Sequence, residues 1–185
     1  MQILGSIKDD GKVFNFEIGL DAKKTSTYEN TFIFSSKRIF IYIDGTISKL
    51  STEITKLTDS HESIDEKIAY LYSIGFNLES HILGSFNIFL FDYSIKEFKL
   101  IRDSRGTRSI YYAKYRKDFI FSTDQSTVIQ LIKNVTLNHS KLVEFLNANY
   151  SSNKNTYFNE ILKEKKNNYL IYINNVVTSG KYKFS

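Results

Sequence analysis

Apolar and polar positions alternate along most of this chain, with the period of two that a half-buried strand requires. The first fifty residues read as short strands, Gln2–Ile7 and Lys12–Ile18, then Thr31–Ser35 and Arg38–Ile43. Asp9-Asp10-Gly11 parts the first two and predicts a hairpin, because Asp-Gly accepts the positive φ of a tight turn. Polar Ser35-Ser36-Lys37 parts the second pair, and Gly45 is expected to end it. Ser85–Asp92, Phe98–Arg102, Ile110–Tyr115 and Asp118–Thr123 follow as four successive strand signals. The breaks between them, Tyr93–Glu97, Ser104-Arg105-Gly106 and Arg116-Lys117, have hairpin length and predict an antiparallel meander. Asn168–Ile173 and Val176–Phe184 predict a closing hairpin around Asn174-Asn175.

Helical spacing replaces this pattern in a few places. Ser63 and Glu66 form a capping-box pattern ahead of Lys67–Ile74, with Ile68, Leu71 and Tyr72 on one side and Gly75 as the stop. Thr123 or Asp124 can cap a helix through Ile132, with Val128, Leu131 and Ile132 together. Ser140 is expected to cap another through Leu146, carrying Leu142, Val143, Phe145 and Leu146. Leu78–Leu83 reads as a short helical piece. Antiparallel strands with helices inserted in blocks predict an α+β fold.

Composition narrows the function classes. No Pro/Gly/Ser-rich linker divides the 185 residues, so one domain is expected, large enough to bury roughly 70% of its unfolded surface. Cysteine is absent, which excludes disulfides, thiolate chemistry and Cys-based zinc sites. Proline and tryptophan are absent too, while Lys, Asn, Ile, Tyr and Phe abound, as an AT-biased genome would produce. The net charge of +5 therefore says little about nucleic acid. Lys23-Lys24, Lys163-Glu164-Lys165-Lys166 and Arg102/Arg105/Arg108 are scattered among acids rather than gathered on one stripe, so nucleic acid is not an expected partner. The longest apolar runs, such as Phe86–Phe91, fall far short of the ~20 residues that span a bilayer. With no secretory pattern at the N-terminus, a cytoplasmic protein without a membrane partner is expected.

The chemistry inventory is thin. His61, His81 and His139 have no metal-ligand spacing, and His61 and His139 read as solvated surface residues. No metal is expected. No G-x-x-x-x-G-K-[ST], G-x-G-x-x-G or G-x-S-x-G pattern occurs, so neither a phosphate cradle nor a nucleophile elbow is visible and no cofactor is expected. The arginine triplet reads as a turn in which Arg102 pairs with Asp103 or another acid, with anion binding as the alternative.

The middle of the chain carries a resemblance. Gly84-Ser-Phe-Asn-Ile-Phe-Leu-Phe-Asp92, then Leu100-Ile-Arg-Asp-Ser-Arg-Gly-Thr-Arg-Ser-Ile-Tyr-Tyr112, then Phe121-Ser-Thr-Asp124, resembles the N-terminal glutaminase domain of asparagine synthetases, a class II glutamine amidotransferase. That family reads G-x-F-A-F-x-x-x-D, R-D-x-x-G-x-x-P-L-Y-Y and F-A-S-E. Arg102, Asp103, Gly106, Tyr111 and Tyr112 match its scaffold motif, and Ser109 takes the place of its proline. The flanks agree in order. Ile43-Asp44-Gly45-Thr46-Ile47 lies at the Asn-Gly-Glu motif, and Lys67–Gly75 at the helix before the Gly-x-Phe strand. Thr156-Tyr-Phe158 with Ile161, then Asn168-Tyr-Leu170, follow at T-x-F-x-x-I and the strand after it. Met1-Gln2-Ile3-Leu4-Gly5 resembles the opening M-C-G-I-x-G.

The resemblance implies a four-layer αββα sandwich of antiparallel sheets, the fold of N-terminal-nucleophile hydrolases, over 1–185 as a single glutaminase-like domain. In working relatives an N-terminal Cys attacks the glutamine amide, its free α-amine serves as base, and an Asn side chain helps bind the oxyanion. Gln2 stands in place of that Cys, and a carboxamide is no nucleophile. Asp44 stands in place of the Asn, and an ionised carboxylate donates no hydrogen bond to an oxyanion. Thr46 replaces the Glu, and Ile64 or Asp65 falls where an Asp binds the substrate amine. Gln2, Asp44, Gly45 and Thr46 thus mark a vestigial site with no catalytic residue.

Such degenerate domains resemble the N-terminal halves of β-lactam synthetases and lasso-peptide cyclases, which close amides with an amine already on the substrate. The expected role is a non-catalytic domain or accessory subunit of an asparagine-synthetase-like, ATP-dependent amide-forming enzyme, acting in peptide modification or macrolactam formation. Its partners would be the ATP-dependent synthetase domain or subunit, absent from this chain, and a precursor peptide. Two alternatives remain open. One is a small-ligand or peptide-binding module. The other is a hydrolase whose nucleophile is exposed by self-cleavage at Gly5-Ser6, Gly45-Thr46 or Gly106-Thr107.

Overall fold

The computed structural model describes residues 2–8, 13–18, 31–34, 36–148 and 155–182. In chain order the first elements are β1 (Ile3–Lys8), β2 (Val13–Ile18), β3 (Thr31–Phe34), β4 (Lys37–Leu50), α1 (Thr52–Leu57) and α2 (Ile64–Ser73). Then come β5 (Ile82–Asp92), β6 (Glu97–Arg102), β7 (Tyr111–Tyr115) and β8 (Asp118–Ser122), followed by α3 (Gln125–Leu131) and α4 (His139–Ala148). The last three are β9 (Leu162–Lys163), β10 (Asn168–Ile173) and β11 (Val176–Lys181). They form two compact units, Met1–Thr25 with Ser109–Lys165, and Ser26–Arg108 with Lys166–Ser185.

The second unit holds a six-stranded antiparallel sheet in the order β11-β10-β6-β5-β4-β3. Alternation divides its side chains cleanly. Ile39 and Ile41 of β4, Phe86, Ile88 and Leu90 of β5, and Ile101 of β6 share one core with Ile54 of α1 and Ile68, Ala69 and Leu71 of α2. Each Ile, Leu or Phe among them, fully removed from water, contributes about 1.5–3 kcal/mol. Phe40, Tyr42 and Asp44 of β4, Asn87, Phe89 and Phe91 of β5, and Leu100 and Arg102 of β6 alternate with them and point to the opposite face. The α2 helix starts as its sequence predicts, with the Ser63 hydroxyl accepting the Glu66 N–H at 3.1 Å. Glu66 answers one residue earlier than a strict capping box, accepting the Glu62 N–H at 3.2 Å. Ser63→Ala is expected to cost about 1 kcal/mol, read as a lower urea midpoint at unchanged slope.

The first unit holds the sheet β2-β1-β8-β7-β9. Ala113 and Ile120 lie on the face packed with Val128 and Ile132, and Ile161 joins that core. Asp124, one of the two expected caps, starts α3 by accepting the Thr127 N–H at 2.9 Å. The Asp9-Asp10-Gly11 turn lies outside the described residues, but β1 and β2 pair antiparallel from Ile3↔Ile18 to Lys8↔Val13.

Several expectations need correction. The four middle strands are not one meander. β5 pairs with β6 and β7 with β8, yet β6 and β7 belong to different sheets. The eight residues between them form a built turn rather than a hairpin. Gly45 does not end β4, which continues through it to Leu50 opposite β5. Leu78–Leu83 is not helical: Ile82 already opens β5, because Ile82, Phe86, Ile88 and Leu90 follow strand period into one core. The cap of α4 is Asn138 rather than Ser140, its Oδ1 accepting the Lys141 N–H at 3.2 Å. The short α1, capped by Ser51, went unforeseen because only Ile54 of its six residues is buried. His61 is not solvated, since its ring packs against Phe34 and Tyr70. Among the described residues no helix is long and apolar enough to cross a membrane.

Candidate functional site

In the second unit, β4 presents Asp44 on the face away from α1 and α2, opposite its cross-strand neighbour Asn87. Asn87 in turn faces Arg102 on β6. The three make a polar row across adjacent strands, and each is at most 2% exposed. A buried carboxylate needs a partner, and Arg108 supplies one: its Nη1 donates to Asp44 Oδ1 at 2.9 Å. The Arg108 side chain is 43% exposed, so solvent reaches this partner but not the carboxylate it holds. Its own carbonyl accepts a hydrogen bond from Arg102 Nη2. Asp44 Oδ2 and both polar atoms of the Asn87 side chain have no hydrogen-bond partner among the described residues. The Tyr42 phenol, two residues along β4, is pushed up by burial and then by Asp44, with Arg108 opposing and Asp65 adding. Burial likewise raises the Asp65 carboxyl.

The turn after β6 explains how Arg108 is aimed. The Asp103 carboxylate accepts the Thr107 N–H and the Thr107 hydroxyl, each at 3.1 Å. The Asp103 carbonyl accepts the N–H groups of Gly106 and Asn167. Gly106 has φ of +65°, and a Cβ there would overlap Lys166. The Tyr182 hydroxyl donates to the Arg102 carbonyl. Within the arginine triplet it is Arg108 that holds an acid, Asp44, and Arg102 braces the Arg108 backbone. Arg105 is exposed.

Gln2 belongs to the first unit. Its side-chain amide donates to Thr127 Oγ1, and the Thr127 hydroxyl donates to Asp124 at 2.8 Å. Gln2, which the resemblance sets at the nucleophile's place, is therefore tied into the N-terminal cap of α3. Tyr112 is buried, its phenol pushed up first by burial and then by Glu164. Tyr111 points to the other face of β7, into the core with Ile120 and Val128. Ser6 sits within β1 and Thr46 within β4, whereas Thr107 sits in the built turn. Among the described residues no group of three His, Asp or Glu can hold a metal.

The resemblance marks Asp44 through a motif and the arginine triplet marks Arg108 only as a turn or anion-binding residue, whereas Asn87 carries no assignment. Asn87 stands at the alanine of the G-x-F-A-F pattern, and a carboxamide in a run of buried apolar residues was the available signal. Nothing in the triplet points from Arg108 to Asp44, because the two lie 64 positions apart.

Comparison with solved structures places this architecture. It is similar to the allosteric regulatory enzyme of purine biosynthesis, with a TM-score of 0.54, 12% identity, and coverage of 97% of this chain and 43% of that one. It is also similar to the glutamine phosphoribosylpyrophosphate amidotransferase from B. subtilis complexed with ADP and GMP, with a TM-score of 0.56, 12% identity, and coverage of 97% and 42%. The fold is thus α+β with antiparallel sheets, that of the N-terminal-nucleophile-hydrolase-like glutamine amidotransferases. The sequence matches the glutamine amidotransferase domain family over residues 29–183, and the chain belongs to that family. The matched span contains Asp44, Asn87 and the 102–112 segment, while Gln2 lies before it. No curated protein sequence matches the chain. The chain spans about two-fifths of the length of the two amidotransferase structures.

Proposed function

We propose that this glutamine amidotransferase-like domain does not hydrolyse glutamine and serves as a non-catalytic domain or subunit of an asparagine-synthetase-like, ATP-dependent amide-forming enzyme, acting on a peptide to be modified or closed into a macrolactam. The observation that carries the reading is the Asp44–Arg108 pair. At the place of the oxyanion-binding Asn stands a buried carboxylate whose one bonded oxygen is held by a guanidinium. An oxyanion there would meet a second negative charge instead of a donor, and losing a donor alone costs about 2.7–4 kcal/mol in working enzymes. Gln2 adds to this, since a carboxamide bonded to Thr127 offers no nucleophilic electron pair to a glutamine amide. A patch for a partner is available: α4 exposes Val143, Phe145 and Leu146.

Two measurements test the reading together. Ammonia release from glutamine is expected at the buffer rate, both for the chain as it stands and for Gln2→Cys, which restores a thiol but not the donor. Affinity purification with the tagged chain, followed by intact-mass analysis, is expected to retain an ATP-dependent synthetase or a precursor peptide beside an uncut chain. Glutamine turnover above buffer would overturn the non-catalytic reading. A chain shortened to begin at Ser6, Thr46 or Thr107 would replace it with the self-cleaving hydrolase.

A further inference from the structure

On the first unit's sheet, strand alternation puts Leu4, Ser6 and Lys8 of β1, Asn15 and Glu17 of β2, and Asp118 and Ile120 of β8 on one face. This is the face that α3 covers from the β8 side, where Leu131 forms a wall. Above β1 and β2 the face is open and holds a pocket of about 280 Å³. That is just below the usual ligand-site range and suits an amino acid or a short peptide end.

Its chemistry is arranged along β1. Glu17 faces Leu4 at one end, and Asn15 faces Ser6 in the middle. Lys8 and Asp118 lie at the other end, about 13 Å along the strand from Leu4. Leu4, Ile120 and Leu131 make the apolar side. None of Glu17, Lys8 and Asp118 forms an ion pair among the described residues. A lone carboxylate beside apolar surface suits an ammonium with an apolar neighbour. A lysine beside an aspartate offers one donor and one acceptor, the complement of an amide, and the Asp118 charge disfavours a free carboxylate there.

We propose that this pocket binds the amino-terminal end of a peptide, with the α-ammonium on Glu17, the first side chain against Leu4, Ile120 and Leu131, and an amide farther along the peptide on Lys8 and Asp118. The site shares no residue with the Asp44 row and is independent of whether the domain has lost glutaminase activity. Leucyl-alaninamide titrated into the full chain is the test, followed by backbone amide NMR shifts. The expected result is saturable shifts centred on Ser6, Asn15 and Ile120, weakened at least tenfold by N-acetylation of the probe and at least tenfold by Glu17→Gln. Free leucine, which ends before it reaches Lys8 and Asp118, is expected to bind more weakly than leucyl-alaninamide, and Asp118→Asn to weaken only the dipeptide amide. Glu17 and Asp118 lie on the sheet surface, and an otherwise unchanged spectrum of each variant confirms its fold. Absence of shifts at millimolar probe, equal binding of the acetylated probe, or indifference to Glu17→Gln would each overturn the proposal.

Discussion

Arg108→Met is expected to destabilise the chain by about 2 kcal/mol, whereas Asp44→Asn changes stability by less than about 1 kcal/mol in either direction. The asymmetry follows from burial. Asp44 is 2% exposed and Arg108 43%. Removing the arginine strands a charge away from water; removing the carboxylate leaves a cation that solvent can reach. Breaking a fully buried pair costs about 3–5 kcal/mol, and the exposed arginine brings the figure down. In the Asp44→Asn background Arg108→Met should therefore be nearly silent, giving a coupling of about 2 kcal/mol in a double-mutant cycle. Urea unfolding of the four proteins measures it. Equal cost of Arg108→Met in both backgrounds would show that the arginine acts through packing of the 102–108 turn and not through Asp44.

That cycle also separates two meanings of the altered motif. If the carboxylate is held by Arg108, the position that the resemblance matches to the oxyanion-binding Asn is part of the protein's own electrostatic framework. Restoring its donor by Asp44→Asn would then free Arg108 without rebuilding a catalytic site, because Gln2 remains tied to Thr127. At this position the difference from the family motif is a change of partners, not merely a missing side chain.

What the sequence disclosed and what it withheld divide along the range of the interactions. Ser63 and Glu66 announce α2, and Asn174-Asn175 announce the β10–β11 hairpin, since a two-residue turn needs positive φ twice and these residues have +49° and +61°. Both signals are complete within a few residues. The pairing of β7 with β8 was equally local and correct. The separation of β6 from β7 was not local, because a polar Gly-containing break looks the same whether the next strand folds back or joins another sheet. Here Asp103, Gly106 and Thr107 bond among themselves and carry the chain away. The candidate site divides similarly. Asp44 was legible from the Asp-Gly-Thr motif, but its partner Arg108 and its neighbour Asn87 depend on the β4–β5 register and on the turn, which no short window contains.

The largest single-residue effect is expected at Gly45→Ala. Gly45 lies mid-strand in β4 with φ of +122°, a conformation that costs a side-chain-bearing residue about 1–3 kcal/mol. A Cβ there would also overlap the Ser85 carbonyl oxygen and sit 3.1 Å from Phe86 Cα. Both obstacles are backbone, so no rotamer change relieves them. Gly84, on the partner strand, is closed in the same way by the Thr46 carbonyl. The two strands approach closely at this point, just before the irregularity between Ile47 and Lys49. Gly45→Ala should thus cost more than about 3 kcal/mol, or leave the chain unfolded. Gly75→Ala is the control. Gly75 has φ of +76° at the end of α2 with nothing within 4 Å of its Cβ position, so only the left-handed backbone is penalised, by about 1–2 kcal/mol. Urea midpoints of the two variants decide the matter, and equal losses would refute the close-approach account. A much larger loss at Gly45 would mean that the glycine beside Asp44 serves the packing of β4 on β5, a requirement that outlasts any need for an oxyanion site.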